Sequence, residues 1–173
     1  MSVKFTGLNV GLFVDTQNLY YSAKTIINKQ VDYEKLLGLA AQNRLIQQAN
    51  AYVIEREGAN NAFGFVTKLS ALGYRVKRKK VRYLQTAEGG HTAIDGDWDM
   101  GMAADIVKAW DYLDVIVLAS GDGDFVPLLE LAQARGRRVE VVAFKDTAHQ
   151  DLLDLADGFI NLADEKDAFV TRE

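Results

Sequence analysis

The sequence predicts an α/β protein, a three-layer α/β/α sandwich around a mostly parallel sheet. Three observations carry that prediction. Short apolar runs alternate with segments of helical period, the rhythm of successive strand–helix units. One run, Val115-Ile116-Val117-Leu118-Ala119, is apolar at every position, so it belongs in the middle of a sheet covered on both faces. The chain also has 173 residues, a single proline (Pro127) and no Gly/Ser/Pro linker, which is the size of one domain spanning 1–173.

Residues 8–14, Leu-Asn-Val-Gly-Leu-Phe-Val, form the first strand, stopped by Asp15, and a helix is expected over 17–28. Tyr33, Leu36, Leu37 and Ala40 fall at i, i+3, i+4 and i+7, one face of a second helix. Residues 50–54 form the second strand. Phe63, Val66 and Leu69 mark a helix that ends where Gly73 can turn left-handed. Residues 74–84 are expected to be extended, and 85–96 to form a polar loop around Gly89-Gly90. Met100, Ala103, Ala104, Val107 and Trp110 outline the helix leading into the central strand, 114–119. Beyond it Ser120–Asp124 turn into a helix carrying Phe125, Leu128, Leu129 and Ala132, stopped by Gly136. A strand over 139–144, a short helix over 152–156 and an edge strand over 159–162 complete the pattern.

With 49% hydrophobic and 25% charged residues the composition is globular, far from that of disordered chains. No apolar run approaches the ~18 residues a membrane helix needs, and Met1-Ser2-Val3-Lys4 does not begin a signal peptide. A cytoplasmic protein without a membrane partner is the expectation. The absence of cysteine excludes disulfides, thiolate metal sites and cysteine nucleophiles. Any metal must be held by oxygen, since His91 and His149 are isolated in sequence and read as surface residues. Twenty Lys plus Arg against twenty-four Asp plus Glu, a net charge of −4, argue against indiscriminate binding of phosphate backbones while allowing a local basic patch.

In open α/β sheets the reactive crevice lies beyond the carboxyl ends of the strands. Asp15 ends the first strand there, and Asp122 and Asp124 follow the central one within Ser120-Gly121-Asp122-Gly123-Asp124-Phe125. Asp97 and Asp99 open a helix that runs back against the sheet, so its start overlies the same edge. Each acid alone is explained as a helix cap or a turn residue. Five together cost like-charge repulsion, which a hard divalent cation, Mg²⁺ or Mn²⁺, would offset with oxygen ligands only. Such a site suits phosphodiester hydrolysis.

Three segments of this chain resemble a known family. Asp15-Thr16-Gln17-Asn18, Gly96-Asp97-Trp98-Asp99-Met100-Gly101-Met102-Ala103-Ala104-Asp105, and Ser120-Gly121-Asp122-Gly123-Asp124-Phe125-Val126-Pro127-Leu128 look like the NYN domain of the PIN-like nucleases, in its bacterial LabA-like branch. The likeness extends to Leu155-Ala156-Asp157-Gly158-Phe159. It implies a PIN-like fold with the first and central strands adjacent, and metal-dependent cleavage of RNA. By this resemblance Asp15, Asp99 and Asp122 match metal-binding acids, Asp124 a fourth, and Asn18 a polar helper near the metal or the scissile phosphate. Asp105 also matches an acid of the family, but lies about 120° around the helix from Asp99 and is placed behind the ligands with Asp97 and Ser120. Where the family often has lysine, this chain has Asp95.

Arg75, Lys77, Arg78, Lys79, Lys80 and Arg82 put six cations into eight residues. In an extended strand Arg78, Lys80 and Arg82 share one face and Arg75, Lys77 and Lys79 the other. Two roles compete. The stretch either guards an exposed sheet edge or tracks a nucleic-acid backbone, with Lys77, Arg78, Lys79, Lys80 and Arg82 on phosphates and Tyr74 or Tyr83 stacking. Trp98, between Asp97 and Asp99, is a further substrate contact. The expected partner is RNA, single-stranded or structured, and a second copy of the chain is left open. A non-catalytic RNA-binding or regulatory module is the alternative to a ribonuclease. A phosphoryl-receiver domain using Lys145 ranks last, and Ser120, lacking a histidine base, is no nucleophile.

Overall fold

The computed structural model describes residues 7–55, 62–85, 89–94 and 96–170. Eight strands are present among them: β1 (Asn9–Asp15), β2 (Leu45–Glu55), β3 (Arg75–Lys80), β4 (Arg82–Gln85), β5 (His91–Ile94), β6 (Val115–Ala119), β7 (Arg138–Ala143) and β8 (Gly158–Asn161). Six of them form one sheet in the order β3-β2-β1-β6-β7-β8, and every pairing is parallel. The chain steps outward from β1 to β3, then returns to the other side of β1 as β6 and steps outward again. The carboxyl ends of β1 and β6 are therefore the switch point, where α/β sheets open a crevice.

Period-two burial explains the two helical layers. Val10, Leu12 and Val14 of β1, with Val115, Val117 and Ala119 of β6, pack against Leu19 of α1 (Thr16–Ile26), Leu36 of α2 (Tyr33–Ala41) and Leu69 of α3 (Ala62–Ala71). Phe13, Ile116 and Leu118 face the other way, onto Met102 and Ile106 of α4 (Asp99–Ala109), Leu129 of α5 (Val126–Ala134) and Leu152 of α6 (Gln150–Leu155). Each such side chain contributes about 1.5–3 kcal/mol on burial. Gly73 and Gly136 stop α3 and α5 at φ values of 96° and 75°. The N–H beyond each reaches back to close the helix, Tyr74 to Leu69 O at 3.1 Å and Arg137 to Ala132 O at 3.0 Å.

Three sequence expectations need correcting. The extended stretch 74–84 is divided at the buried Val81, whose N–H donates to Glu55 O. Only β3 belongs to the sheet, as its edge. The expected loop over 85–96 instead contains β5, paired antiparallel with β4 in a separate hairpin. Gly89, at φ 79°, lies between the two strands, and four-residue strands are too short to register by periodicity. β2 also begins earlier than 50, because its first residues, Leu45 and Gln47, are exposed and lack an apolar pattern. Among the described residues no helix is long and apolar enough to cross a membrane.

A buried ion pair ties α2 to the sheet. Arg44 caps the end of α2 by donating to Ala40 O and Ala41 O, each at 3.0 Å, and grips Glu140 of β7 with two nitrogens at 2.8 and 2.6 Å. Burial works against the charged form of Glu140, but Arg44 and Arg138 outweigh it and hold the carboxyl below its ordinary value. Arg44→Met should therefore cost about 3 kcal/mol, the low end for a broken buried pair because Arg138 remains, measured as a lower urea midpoint. The Glu140 contribution is present at neutral pH and is lost as pH falls below the ordinary 4.5 toward the depressed folded value.

Candidate metal centre

Backbone hydrogen bonds aim the acids. Asp15 ends β1 and caps α1, with its Oδ1 accepting from the Asn18 N–H at 3.0 Å. Its Oδ2 receives the hydroxyl of Ser120 at 3.5 Å. Ser120 is wholly buried at the end of β6, and its Oγ accepts from the Asp122 N–H at 3.2 Å. The side-chain Oδ1 of Asn18 accepts from the Gly121 N–H at 2.9 Å, so the turns after the two neighbouring strands are laced together. Asp122 in turn caps a single 3-10 turn, Gly123–Phe125, by accepting from the Asp124 N–H at 3.0 Å. Across the crevice Asp97 accepts from the Asp99 N–H at 3.3 Å at the start of α4.

The glycines flanking Asp122 are required by what lies behind them. A Cβ on Gly121 would sit 2.9 Å from the Ala148 Cα, and one on Gly123 2.7 Å from the His149 Cγ. The His149 N–H also donates to Gly121 O at 3.0 Å. His149, set aside from the sequence as isolated, thus backs the acid-bearing turn with an exposed ring whose Nδ1 caps α6. Its signal in the sequence was Gly-Asp-Gly, a backbone that something must approach closely.

Asp99, Asp122 and Asp124 each offer one carboxylate oxygen, and these three lie within 4.8 Å of one another. Asp15 stands outside that group, yet its charge reaches both Asp122 and Asp99. Partial burial, followed by repulsion from Asp97, Asp122, Asp15 and Asp124, pushes Asp99 up to about 6. Burial, with Asp122 adding to it, raises Asp15 as well, against the opposing hydrogen bond from Asn18. Asp99 therefore feels the other four acids expected at this edge. With carboxylates as its donors and no sulfur, the group fits a hard divalent cation.

Asp105 does not join them. It accepts from the Lys77 Nζ at 2.8 Å and from the Tyr52 hydroxyl at 2.7 Å. Burial favours its neutral form, but these two partners prevail and keep it charged, below the ordinary value. Tyr52, which nothing in the sequence singled out, also accepts from Asn50 and so bridges β2 to α4. The basic stretch is largely committed within the protein. Lys77 pairs with Asp105, Arg78 pairs with Glu55, and Lys79 donates to Asp97 O at 2.9 Å over the Trp98 ring. Lys80 and Arg82 are exposed. Trp98 is half-buried, its indole N–H donating to Val53 O at 3.1 Å and its ring against Tyr52. Tyr74 packs inward, donating to Tyr33 O. Asp95 and the side chains of Tyr83 and His91 lie outside the described residues.

Comparison with known proteins places this geometry in a family. The chain is 27% identical over 162 residues to the Low amplitude and bright protein LabA of Synechococcus elongatus, a match covering 92% of this chain and 87% of that one. A solved structure of a Vibrio parahaemolyticus protein of unknown function superposes with a TM-score of 0.80 at 29% identity, covering 98% of this chain and all of the other. The NYN domain family matches residues 9–163, which takes in every acid of the cluster, and the chain belongs to that family.

Proposed function

We propose that this protein is a metal-dependent ribonuclease, hydrolysing RNA phosphodiester bonds with Mg²⁺ or Mn²⁺ at the carboxyl edge of β1 and β6. The observation that carries the proposal is the convergence of three carboxylate oxygens within 4.8 Å, where the charges of four neighbouring acids add to burial in raising the proton affinity of Asp99. Membership of the NYN family supports it. Asp99, Asp122 and Asp124 would hold the cation, with the Oδ2 of Asp15 completing the set. When bound, a divalent ion supplies positive charge for in-line displacement at phosphorus and makes water more acidic.

The chain's own residues do the positioning. The Ser120 hydroxyl and the Asn18 N–H fix the Asp15 carboxylate, while the Asn18 side chain fixes Gly121 and hence the direction of Asp122. Trp98 and Lys79 pin the start of α4 against β2 and so set where Asp99 stands. The caps at Asp15 and Asp122 survive replacement by asparagine, which caps as well as aspartate. An Asp→Asn change therefore removes charge and leaves the turn.

Three outcomes follow. Asp122→Asn should abolish Mn²⁺-dependent cleavage of a mixed RNA pool while remaining folded, and wild-type cleavage by that variant would sink the proposal. In chelator at pH 7.5, Asp99→Asn should melt about 2–4 °C above wild type, since relieving a screened, half-open repulsion is worth about 1 kcal/mol. The folded pKa of Asp99 is raised, so the wild-type penalty is present above about 6 and fades as pH falls toward the ordinary 3.8, where both states are protonated. Excess Mn²⁺ should reverse the order by stabilising wild type, by about 2.7 kcal/mol at a hundredfold excess over its Kd. On the basic strand, Lys80→Ala should flatten the salt dependence of RNA binding by about 0.7 in log–log slope. Lys77→Ala should instead lower stability by about 1–3 kcal/mol by orphaning Asp105; equal effects from the two variants would contradict this division of labour.

A further inference from the structure

Between α1, α3 and the end of β2 lies a cleft that the proposed hydrolysis does not use. It has a volume of about 640 Å³, in the range of small-molecule sites. It opens at the same carboxyl edge, for Thr16 and Gln17, the two residues after Asp15, line it together with Val53–Glu55 at the end of β2. Its aromatic content is high. Tyr33 is buried and stands edge-on to the half-buried Phe65, with ring centroids 5.3 Å apart, while Tyr20 and Tyr21 are 49% and 42% exposed. The Tyr20 and Tyr21 rings stand edge-on to each other with centroids 5.3 Å apart, and each still presents part of its aromatic surface to the cleft.

The charges of the cleft differ in sign from those of the crevice next to it. Lys29 and Lys68 line it and are exposed, and Lys24 stands 6.0 Å from the Tyr20 ring. Among the described residues Glu55 is the acid that lines it, and Arg78 neutralises that carboxylate at 2.6 Å. In a chain of net charge −4 this is a local cationic, aromatic surface touching an anionic one. Aromatic faces with lysines beside them bind a base and its phosphate without regard to sequence.

We propose that this cleft between α1 and α3 takes an unstacked nucleobase of single-stranded RNA, stacked on Tyr20 or Tyr21 with its phosphates toward Lys29 and Lys68. The proposal rests on the ribonuclease function proposed above and names the form of its substrate. A base held in a duplex cannot enter, because both of its faces are already stacked. The chain therefore selects single strands, and it does so in the cleft between α1 and α3, beside the end of β2.

The test uses full-length protein in the Asp122→Asn background, with chelator, so that RNA stays intact. Binding of a fluorescently labelled single-stranded RNA 12-mer of mixed sequence, and of the same 12-mer annealed to its complement, is followed by anisotropy. Tyr20→Ala/Tyr21→Ala should weaken single-strand binding roughly 5- to 100-fold, the effect of losing one stacked base, and leave duplex binding unchanged. Tyr20→Phe/Tyr21→Phe keeps both rings and should restore single-strand affinity. Both positions are exposed, and an unchanged melting temperature confirms folding. Equal single-strand affinity for the alanine and parent proteins would overturn the cleft while leaving the nuclease proposal standing. An equal loss for both RNAs would also overturn it. Wild-type protein that neither binds nor cuts any RNA would overturn both.

Discussion

Burying β1 and β6 side by side on both faces is the constraint from which the rest of the structure follows. Val10, Leu12 and Val14 need cover on one face, and Phe13, Ile116 and Leu118 on the other. Helices must lie above and below. Because parallel strands demand crossovers, every chain segment leaving these two strands does so at their carboxyl ends. Polar residues excluded from the strands accumulate at that edge, where the turns need caps. Asp15, Ser120 and Asp122 stand where the apolar run stops.

Capping and charge are therefore not alternatives at this site. A carboxylate has two oxygens, and at Asp15 and Asp122 one is used by a backbone N–H. The remaining oxygens of neighbouring caps are thrown toward each other because the turns themselves are laced through Asn18 and Gly121. Asp99 has no such compensation and carries the clearest consequence, a carboxyl pushed up to about 6. Asp105, of the same chemical type and only six residues on, is held in the opposite direction by Lys77 and Tyr52. Within one short helix the surroundings, not the residue type, decide which acid is poised to trade its proton for a cation.

The sheet and the acids were legible because both announce themselves locally. Val115–Ala119 can only be a central strand, and Asp15, Asp122 and Asp124 follow strands directly, so their gathering needed nothing beyond the topology rule. The hairpin of β4 and β5 was missed since four-residue strands carry too little periodicity, although Gly89 lies between them. The partners of Lys77, Arg78 and Lys79 were illegible for a different reason. Asp105, Glu55 and Trp98 are distant in sequence and meet these cations only once β3 is docked beside β2 and α4 crosses above. His149 is similar. Its packing on Gly123 depends on where β7 ends, and sequence offered only the demand of the glycine for a close neighbour.

Internal pairing of the basic strand also bears on how an acidic protein meets a polyanion. At ~0.1 M salt the Debye length is about 10 Å, so RNA responds to the nearest charges and not to the net charge of −4. Lys77 and Arg78 are half-cancelled by Asp105 and Glu55 and project little field. Exposed lysines remain: Lys80 at the end of β3, in register with Glu55, and Lys29 and Lys68 on the cleft that Glu55 also lines, all on the β2–β3 side of the acidic edge. On the proposed function, RNA held by these cations and reaching the ends of β1 and β6 would bring its phosphates to the carboxylates, which repel them. On that proposal, a divalent cation held at Asp99, Asp122 and Asp124 would turn the repulsion into attraction, so metal loading and RNA binding would reinforce each other by linkage.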